Sequence, residues 1–275
     1  MISTYRPSCG PVVRAAALIA ASGAVLLPAQ GRAQQTADEL APRTWSVRLG
    51  IGAGVSPEYP GSETFGVSPI PLIDIAYRAD LPLLDTIFLN TRDGLGVVLL
   101  RRGPFSMGAS VGYAPGRDQD DDDRLRGMGD IDGAARGKVF VRGEFGMFGV
   151  RLEAERAFGD QDGTTITLGA SAKHRVSASL RLVGQVGVTW ADSDHMQQWF
   201  GVDSVQAQRS LFTAYQPGSG FRDVHASLTG VYDISPSWSA TATIGVAQLL
   251  GDAADSPLVE RATQPFGLLG ISYRF

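Results

Sequence analysis

The chain has 275 residues, of which 44% are hydrophobic and 19% charged, with 24 Lys and Arg residues against 28 Asp and Glu residues. A net charge of −4 without a large basic patch excludes nucleic acid as a partner. The 34 glycines, about 12% of the chain, exceed the usual ~7% and lie among alternating apolar residues, which favours a single β domain.

The N-terminal segment has the three parts of a secretory signal. Residues 1–14 contain two arginines and no acid, residues 15–27 are almost entirely apolar, and small residues end at Ala33. This order predicts a cleaved signal peptide over residues 1–33, because the apolar run is shorter than the ~18 residues of a membrane anchor. Cys9 falls in that segment, so the mature chain has no thiol for disulfides or thiolate metal sites.

Apolar and polar residues alternate with a period of two along the mature chain, residues 34–275. Phe148 and Val150 share one face of an extended segment, whereas Arg151 and Glu153 share the other. Such alternation over about eight to ten residues matches a strand that crosses a bilayer. The twelve predicted strands are 44–54, 66–78, 84–92, 94–101, 104–113, 131–143, 145–157, 163–173, 178–191, 222–234, 237–249 and 266–275.

A soluble β-sandwich would show the same alternation with its apolar face turned inward. Strand length, the export signal and the aromatic residues at segment ends favour lipid outside the sheet instead. These terminal aromatics are Trp45, Tyr113, Trp190 and Trp238. The sequence therefore predicts an all-β, transmembrane, antiparallel up-and-down barrel of the bacterial outer membrane.

The number of strands is the least certain part of this prediction. An even number places both termini at the periplasmic side, and the long connections then fall at the outer side. Pro69 and Pro71 cannot donate hydrogen bonds to a ladder, which weakens the prediction for 66–78. Counts of ten, or of fourteen with two more strands in 192–221, remain open beside twelve.

The last nine residues read as the closing strand. Ile271, Tyr273 and Phe275 fall on one face, and the chain ends on that Phe. A carboxyl-terminal Phe with an aromatic two residues earlier looks like the sorting strand of bacterial outer-membrane barrels. We expect this strand to pair with the first, around Trp45–Ile51.

Several connecting segments are distinctive in sequence. They are Ser56-Pro57-Glu58-Tyr59-Pro60-Gly61-Ser62, Pro69-Ile70-Pro71-Leu72, Trp199-Phe200-Gly201-Val202, Leu249-Leu250-Gly251-Asp252-Ala253-Ala254-Asp255-Ser256-Pro257-Leu258-Val259 and Tyr273-Arg274-Phe275. In this order, and over essentially the whole mature chain, they resemble the MipA/OmpV family of outer-membrane proteins. The Leu249–Val259 segment is the most specific, and Trp199 departs from the Tyr that is commoner in the family.

This resemblance implies a barrel in contact with outer-membrane lipid and lipopolysaccharide. The best-known family member is a scaffold that bridges a lytic transglycosylase and a murein synthase, and other members are discussed as porin-like. The family has no agreed catalytic residues, so none is transferred. The first hypothesis is a non-enzymatic scaffold or envelope-integrity factor, the alternative is a narrow small-solute channel, and an enzyme comes third.

One candidate catalytic set stands on a single strand. Asp223, His225 and Ser227 share a face, but neighbouring same-face residues are about 6.8 Å apart, whereas a working triad needs contacts near 3 Å. His174 is predicted near a periplasmic turn and His195 in an outer loop, away from the set. We therefore predict a polar inner wall and no catalytic, cofactor or metal site.

Two further patterns have ordinary explanations. The acidic run 118–123 could hold a divalent cation through its carboxylates, but it lacks the spacing of an EF-hand and is predicted to be a solvated loop. Gly50, Gly52 and Gly54 alternate on one strand face and are not followed by a helix, which excludes a nucleotide-binding loop.

The inner wall is the predicted functional surface. Its candidate residues, expected to pair across strands in a constricted interior, are Arg136, Lys138, Arg142, Arg151, Glu153, Glu155, Lys173, Arg181, Gln185 and Asp233. The candidate loop residues from the family segments are Glu58, Tyr59, Pro60, Gly61, Asp252, Asp255, Ser256 and Pro257.

Overall fold

The computed structural model describes residues 45–159 and 161–275; the predicted signal peptide, 1–33, lies outside the described residues. Twelve antiparallel strands close into one barrel in sequence order. They are β1 (Trp45–Pro57), β2 (Phe65–Leu81), β3 (Leu84–Asn90), β4 (Gly94–Arg102), β5 (Phe105–Ala114), β6 (Ala134–Phe145), β7 (Phe148–Phe158), β8 (Thr164–Arg175), β9 (Leu180–Ala191), β10 (Gly220–Asp233), β11 (Trp238–Leu249) and β12 (Thr263–Arg274).

The predicted fold class and strand number are confirmed. Every strand begins and ends within three residues of its predicted bounds. The alternative of two further strands in 192–221 is wrong, because this segment forms α1 (Ser193–Phe200) and α2 (Ser204–Arg209). A third short helix, α3 (Gly251–Ala254), follows β11. Among the described residues no helix is long and apolar enough to cross a membrane.

The prolines of β2 are tolerated because, at their positions, β2 has no hydrogen-bonded partner on the side of β3. β3 is short and pairs with β2 only from Asp74 onward, whereas Pro69 and Pro71 pair with β1 alone. Proline is accepted at such an edge, since its missing N–H faces no partner strand. The barrel wall is therefore lower at β3 and β4 than elsewhere.

The outer wall is apolar, as the prediction of lipid outside the sheet requires. Val67, Ile244 and Leu269 are exposed on it by 71%, 67% and 68%. Aromatic rings group at the end of the barrel where β1 begins and β12 ends: the rings of Trp45 and Tyr77 are tilted against each other, and those of Trp238 and Tyr273 meet edge to face. This is the girdle of a membrane interface.

The first and last strands close the barrel in the predicted way. β1 and β12 pair from Arg48 opposite Arg274 to Val55 opposite Gly267. A Cβ at Gly50 would overlap the carbonyl oxygen of Ile271, so this glycine permits the close approach of the two strands.

Since twelve strands place both termini at the periplasmic end, the long connections lie at the outer end. There the loops 58–64, 115–133, 192–219 and 250–262 pack into a structure that we call the outer cap. Its two apolar cores have buried side chains from several loops. The first contains Tyr59, Leu125, Met128, Val202, Phe212 and Leu258, and the second Ala191, Met196, Phe200, Leu249 and Ala253.

Candidate functional site in the barrel lumen and outer cap

Asp93 forms the hub of a charged cluster inside the barrel. It lies in the tight turn between β3 and β4, is 2% exposed, and its carboxylate accepts hydrogen bonds from three basic side chains of β6 and β7. The distances are 3.1 Å to Nζ of Lys138, 3.1 Å to Nη2 of Arg142 and 2.9 Å to Nη2 of Arg151. The low wall at β3 and β4 lets this turn reach the lumen.

The remaining carboxylates near the hub are shared between several cations. Glu153 contacts Arg151 and lies 3.2 Å from Nη2 of Arg92. Glu155 lies 3.3 Å from Nζ of Lys138 and 3.4 Å from Nη1 of Arg136. Strand alternation places all of these side chains except Arg92 on the inner face of β6 and β7.

Smaller ion pairs lie towards the periplasmic end. Lys173 of β8 donates to Glu144 at 2.8 Å. Arg181 of β9 donates to Asp233 of β10 at 3.1 Å, and the hydroxyl of Ser239 donates to the same carboxylate at 2.8 Å. Gln185, the remaining candidate lumen residue, lies opposite Ser171 of β8 and Ser227 of β10.

One layer of the inner wall is apolar rather than polar. Phe88, Val98 and Phe140 of β3, β4 and β6 pack together inside the barrel, and each is less than 9% exposed. The guanidinium carbon of Arg142 lies 4.1 Å from the centre of the Phe140 ring. The aromatic layer therefore supports the charged cluster by cation–π contact.

The contacts of the candidate catalytic residues differ partly from the prediction. Nδ1 of His225 lies 2.9 Å from Oδ1 of Asp223, so two same-face side chains do reach one another. His195 was predicted to lie apart from this set. Its Nε2 is instead 3.1 Å from Nη1 of Arg222, and Nε of the same arginine donates to Asp223. The correction follows from α1, which folds over the strand ends and carries its histidine back to them.

Ser227 does not complete a triad. Its buried hydroxyl has no hydrogen-bond partner among the described residues, and Nε2 of His225 points towards Gly187, where a Cβ would overlap it. Without a nucleophile in contact with the histidine, the arrangement lacks the geometry of acyl transfer. The Asp223–His225 pair instead links the inner wall to the outer cap.

Three of the family segments, those that contain Tyr59, Phe200 and Ser256, meet in the outer cap. Tyr59 donates its hydroxyl to the carbonyl oxygen of Leu258 at 3.1 Å, and Ser256 donates to the carbonyl oxygen of Phe200 at 2.6 Å. Oδ2 of Asp252 accepts from the backbone N–H of Gly218 at 2.7 Å, and its carbonyl oxygen accepts from Tyr215. Segments far apart in sequence thus hold one another by side-chain to backbone bonds.

The other candidate loop residues flank these contacts. Pro60 lies in the turn between Tyr59 and Gly61, Pro257 lies between Ser256 and Leu258, and Asp255 ends α3. Glu58 follows β1, and its backbone N–H donates to the carbonyl oxygen of Thr64. These positions shape the loops.

Capping side chains explain why 192–209 is helical. Asp192 precedes α1 and accepts from the backbone N–H of His195; Asp203 precedes α2 and forms a capping box with Gln206. Both are N-cap signals that sequence inspection can find. Burial by itself would raise the pKa of Asp192, but the hydrogen bonds that its carboxylate accepts from His195 and Thr164 outweigh this effect and hold the pKa below its usual value.

Burial in the cap shifts two further groups. It lowers the pKa of His195 to about 3, helped by the positive charge of Arg222. It raises the pKa of Tyr59 to about 12, with Glu260 and Asp122 acting in the same direction. At neutral pH both groups are therefore uncharged, as their packing requires.

The acidic run makes contacts within its own loop. Asp118 and Asp121 accept from backbone N–H groups of the loop, Asp122 caps the 3₁₀ turn Asp123–Leu125, and Asp123 pairs with Arg126. Within the part of the chain that is described, no group of three or more His, Cys, Asp or Glu residues could hold a metal ion.

Sequence reasoning did not find Asp93 and Arg92 as members of the lumen cluster. Asp93 precedes Gly94, whose φ of 78° suits a tight hairpin turn, and this pattern alone indicates a turn and not a charged hub. The sequence did contain one signal, the shortness of β3 and β4. The turn of a hairpin that is shorter than the neighbouring strands lies at the level of those strands, and its side chains can reach the lumen.

A cavity of about 60 Å³ lies beside the charged cluster. Arg142, Arg151 and Lys173 line one part of it, and Gln185 and Thr167 line another. A cavity needs roughly 10–15 Å³ on this measure for each water molecule. The space therefore accommodates a few waters or one small polar group.

Comparison with known proteins identifies a family. The model of the family described as MltA-interacting protein MipA matches residues 49–275. The MltA-interacting proteins of Escherichia coli K12 and Shigella flexneri are each 24% identical over 99 residues, which cover 36% of this chain and 40% of the relative. The matched segment thus spans two fifths of the length of these relatives.

Solved structures of outer-membrane barrels are also similar. The COG4313 outer membrane channel from Pseudomonas putida F1 has a TM-score of 0.46 at 13% identity and covers 88% of this chain and 100% of that chain. The KdgM porin in complex with disordered oligogalacturonate has a TM-score of 0.44 at 10% identity and covers 83% of this chain and 99% of that chain.

Proposed function

This chain belongs to the family of the MltA-interacting protein MipA, and on that basis we propose that it is a non-enzymatic scaffold, anchored in the bacterial outer membrane, for murein-remodelling enzymes. Its relatives are named MltA-interacting proteins, and that name states an interaction with MltA. The family resemblance implies that the partners are a lytic transglycosylase and a murein synthase. The barrel supplies the anchor, and the periplasmic rim supplies the contact surface.

The observation that carries this proposal is the filled interior. Thr229 and Val231, on the inner face of β10, are 2% and 1% exposed, and Phe140 on β6 is 3% exposed. In an open water-filled channel these side chains would be wetted. The two apolar cores of the outer cap cover the outer end as well. A filled and capped barrel supports an anchoring role over free diffusion of solutes.

The periplasmic rim offers apolar side chains on short turns. Leu83, between β2 and β3, is 79% exposed, and Ile234, between β10 and β11, is 55% exposed. Exposed aliphatic side chains at turn tips fit a protein partner, since burying them on binding is favourable. We assign the contact to these turns.

The test is binding of a purified soluble MltA-type lytic transglycosylase to the refolded barrel in detergent, followed by biolayer interferometry. We expect Leu83→Glu to weaken binding at least tenfold, which corresponds to about 1.4 kcal/mol. The matched control is Leu211→Glu, because Leu211 is 90% exposed in the outer cap. Equal affinity of both variants, or no binding of the unaltered barrel, would refute the proposal.

A narrow channel is the second candidate, favoured by polar groups of the wall that have no protein partner. Arg48, Gln185 and Ser227 each contain a buried nitrogen or oxygen without a hydrogen bond among the described residues. Water in the lumen would satisfy such groups. Steady single-channel conductance that is lost in Arg151→Gln or Glu153→Gln would favour this function over a pure scaffold.

A further inference from the structure

Charge is distributed unequally between the lumen and the rest of the chain. The chain as a whole has a net charge of −4. In the hub cluster and the neighbouring Lys173–Glu144 pair, however, six basic side chains share four carboxylates, an excess of two positive charges. The basic residues are Arg92, Arg136, Lys138, Arg142, Arg151 and Lys173, and the acidic residues are Asp93, Glu144, Glu153 and Glu155.

This excess is largely shielded from water. The side chains of Lys138, Arg142 and Arg151 are 4%, 12% and 13% exposed. Removing uncompensated charge from water is costly unless an opposite charge is supplied. Arg142 also has a buried Nε–H without any hydrogen-bond partner among the described residues. The cluster therefore has both spare positive charge and spare donors.

The cavity beside the cluster has the size and lining of an oxyanion site. Its volume, about 60 Å³, corresponds to roughly four or five waters, which is the scale of a carboxylate or phosphate group. Arg142, Arg151 and Lys173 provide cationic donors, and the amide of Gln185 and the hydroxyl of Thr167 line it too. Two carboxylates also line the cavity, and each is already paired with one of these cations: Glu144 with Lys173 and Glu153 with Arg151. Guanidinium forks match both kinds of oxyanion in geometry as well as charge.

Glycine creates part of the space. Gly169, on the inner face of β8, lines the cavity, and a Cβ built there meets only the carbonyl oxygen of Val186, at 3.5 Å. Its backbone has an ordinary strand conformation, since it is not among the glycines with positive φ. A side chain at this position would therefore extend into the cavity without strain.

We propose that the lumen contains a binding site for a small oxyanion, a carboxylate or phosphate group, held between Arg142, Arg151 and Lys173 on one side and Gln185 on the other. The site goes beyond the scaffold role and does not depend on it. The lumen site is distinct from the periplasmic rim, so a result that refutes the oxyanion site leaves the scaffold proposal standing, and the reverse also holds.

The test is isothermal titration of the refolded, detergent-solubilised barrel with inorganic phosphate and, separately, with acetate. Two variants alter the site in different ways. Gln185→Glu keeps the shape and adds a negative charge, and Gly169→Val keeps the charge and fills space. The matched control is Gln208→Glu, because Gln208 is exposed on α2 in the outer cap. Heat-modifiable migration on gels verifies that each variant is folded.

We expect saturable binding of at least one anion, weakened fivefold or more by Gln185→Glu and by Gly169→Val and unchanged by Gln208→Glu. If Gln185→Glu does not fold, the uncharged Gly169→Val variant decides the matter alone. Absence of saturable binding in the unaltered barrel, or binding that survives both cavity variants, would overturn the proposal.

Discussion

The hydroxyl of Tyr59 donates to the carbonyl oxygen of Leu258 across 3.1 Å, which joins the first outer loop to the last over a separation of 199 residues. Both residues are nearly inaccessible and belong to the same apolar core. The two loops are neighbours because β1 and β12 are neighbours in the closed barrel. The bond gives the buried carbonyl of Leu258 a donor and ties the two loops together.

The first prediction concerns this bond. Tyr59→Phe leaves the buried carbonyl of Leu258 without its donor and should destabilise the outer cap by about 1–3 kcal/mol. Hydrogen exchange of the backbone in 250–262 is the measurement, with Tyr232→Phe as the control because Tyr232 is 52% exposed on the outer wall. Unchanged exchange in Tyr59→Phe would mean that the bond does not hold the cap.

The second prediction concerns acid. His195 has its pKa lowered to about 3 by burial and by Arg222, with Asp192 and Asp223 opposing. A lowered folded-state pKa means that the unfolded segment binds more protons between about pH 6.5 and 3. The stability of α1 is therefore complete above pH 6.5 and falls as the pH falls through this window.

Fluorescence of Trp199, whose ring centre lies 6.2 Å from that of His195, can monitor this loosening between pH 7 and 4.5. The lowered pKa of Asp192 also makes stability depend on pH, but that stability is lost only below the ordinary pKa of about 3.8, which is outside the range from pH 7 to 4.5. His195→Gln should flatten the transition, whereas His174→Gln, at an exposed site, should retain it. A transition of the same size in His195→Gln would contradict this assignment.

The third prediction concerns the lumen hub. Asp93→Asn removes the carboxylate that Lys138, Arg142 and Arg151 share, and it leaves buried cations without compensation. We expect a loss of about 3–5 kcal/mol, as for other broken buried ion pairs. Thermal unfolding, followed by heat-modifiable gel migration, measures it.

The control for the hub is Asp85→Asn. Asp85 pairs with Arg101, whose side chain is 43% exposed, so its loss should cost no more than about 1 kcal/mol. Similar unfolding temperatures for the two variants would show that Asp93 has no special role.

The fourth prediction concerns Gly61 in the turn after β1. It has a φ of 105°, and a Cβ there would lie 2.6 Å from Cγ2 of Val259. Gly61→Ala should therefore separate the first and last loops. Gly103→Ala is the comparison, since Gly103 has a φ of 54° with no atom within 4 Å of the added Cβ.

Limited proteolysis of the outer loops measures the difference between these variants. Gly103→Ala should carry only the backbone cost of about 1–2 kcal/mol and leave the cap closed. Adding Val259→Ala to Gly61→Ala should restore part of the protection. Failure of this second substitution to restore any protection would indicate that backbone strain, not the overlap, opens the loops.

Much of the wall could be predicted because strand alternation is a local property. Period two in β7 placed Arg151 inside and Phe148 outside without any knowledge of a partner strand. The closing role of β12 followed from its terminal aromatic residues, and the outer loops were recognised by their length. The helices α1 and α2 were not predicted, since 192–221 was taken as a long outer loop with two strands as the alternative, although Asp192 and Asp203 are N-cap signals.

The contacts between elements could not be predicted in the same way. The position of Asp93 among three cations depends on how far the short β3–β4 hairpin reaches, and the approach of His195 to Arg222 depends on how α1 folds back. Neither contact can be deduced from the spacing of residues along a single strand. The apolar layer of Phe88 and Phe140 was likewise missed, since alternation alone assigns a face but does not say what fills it.

The sequence by itself determined the solvent on each side of the sheet, the barrel class and the family resemblance, because these depend on periodicity and on local motifs; the structure then decided for twelve strands over ten or fourteen. Only the tertiary structure decided which charges of the interior pair with one another and that the long loops pack into the outer cap. Charge pairing and packing depend on which strands and loops lie within a few ångströms of one another, and barrel closure alone brings those residues together.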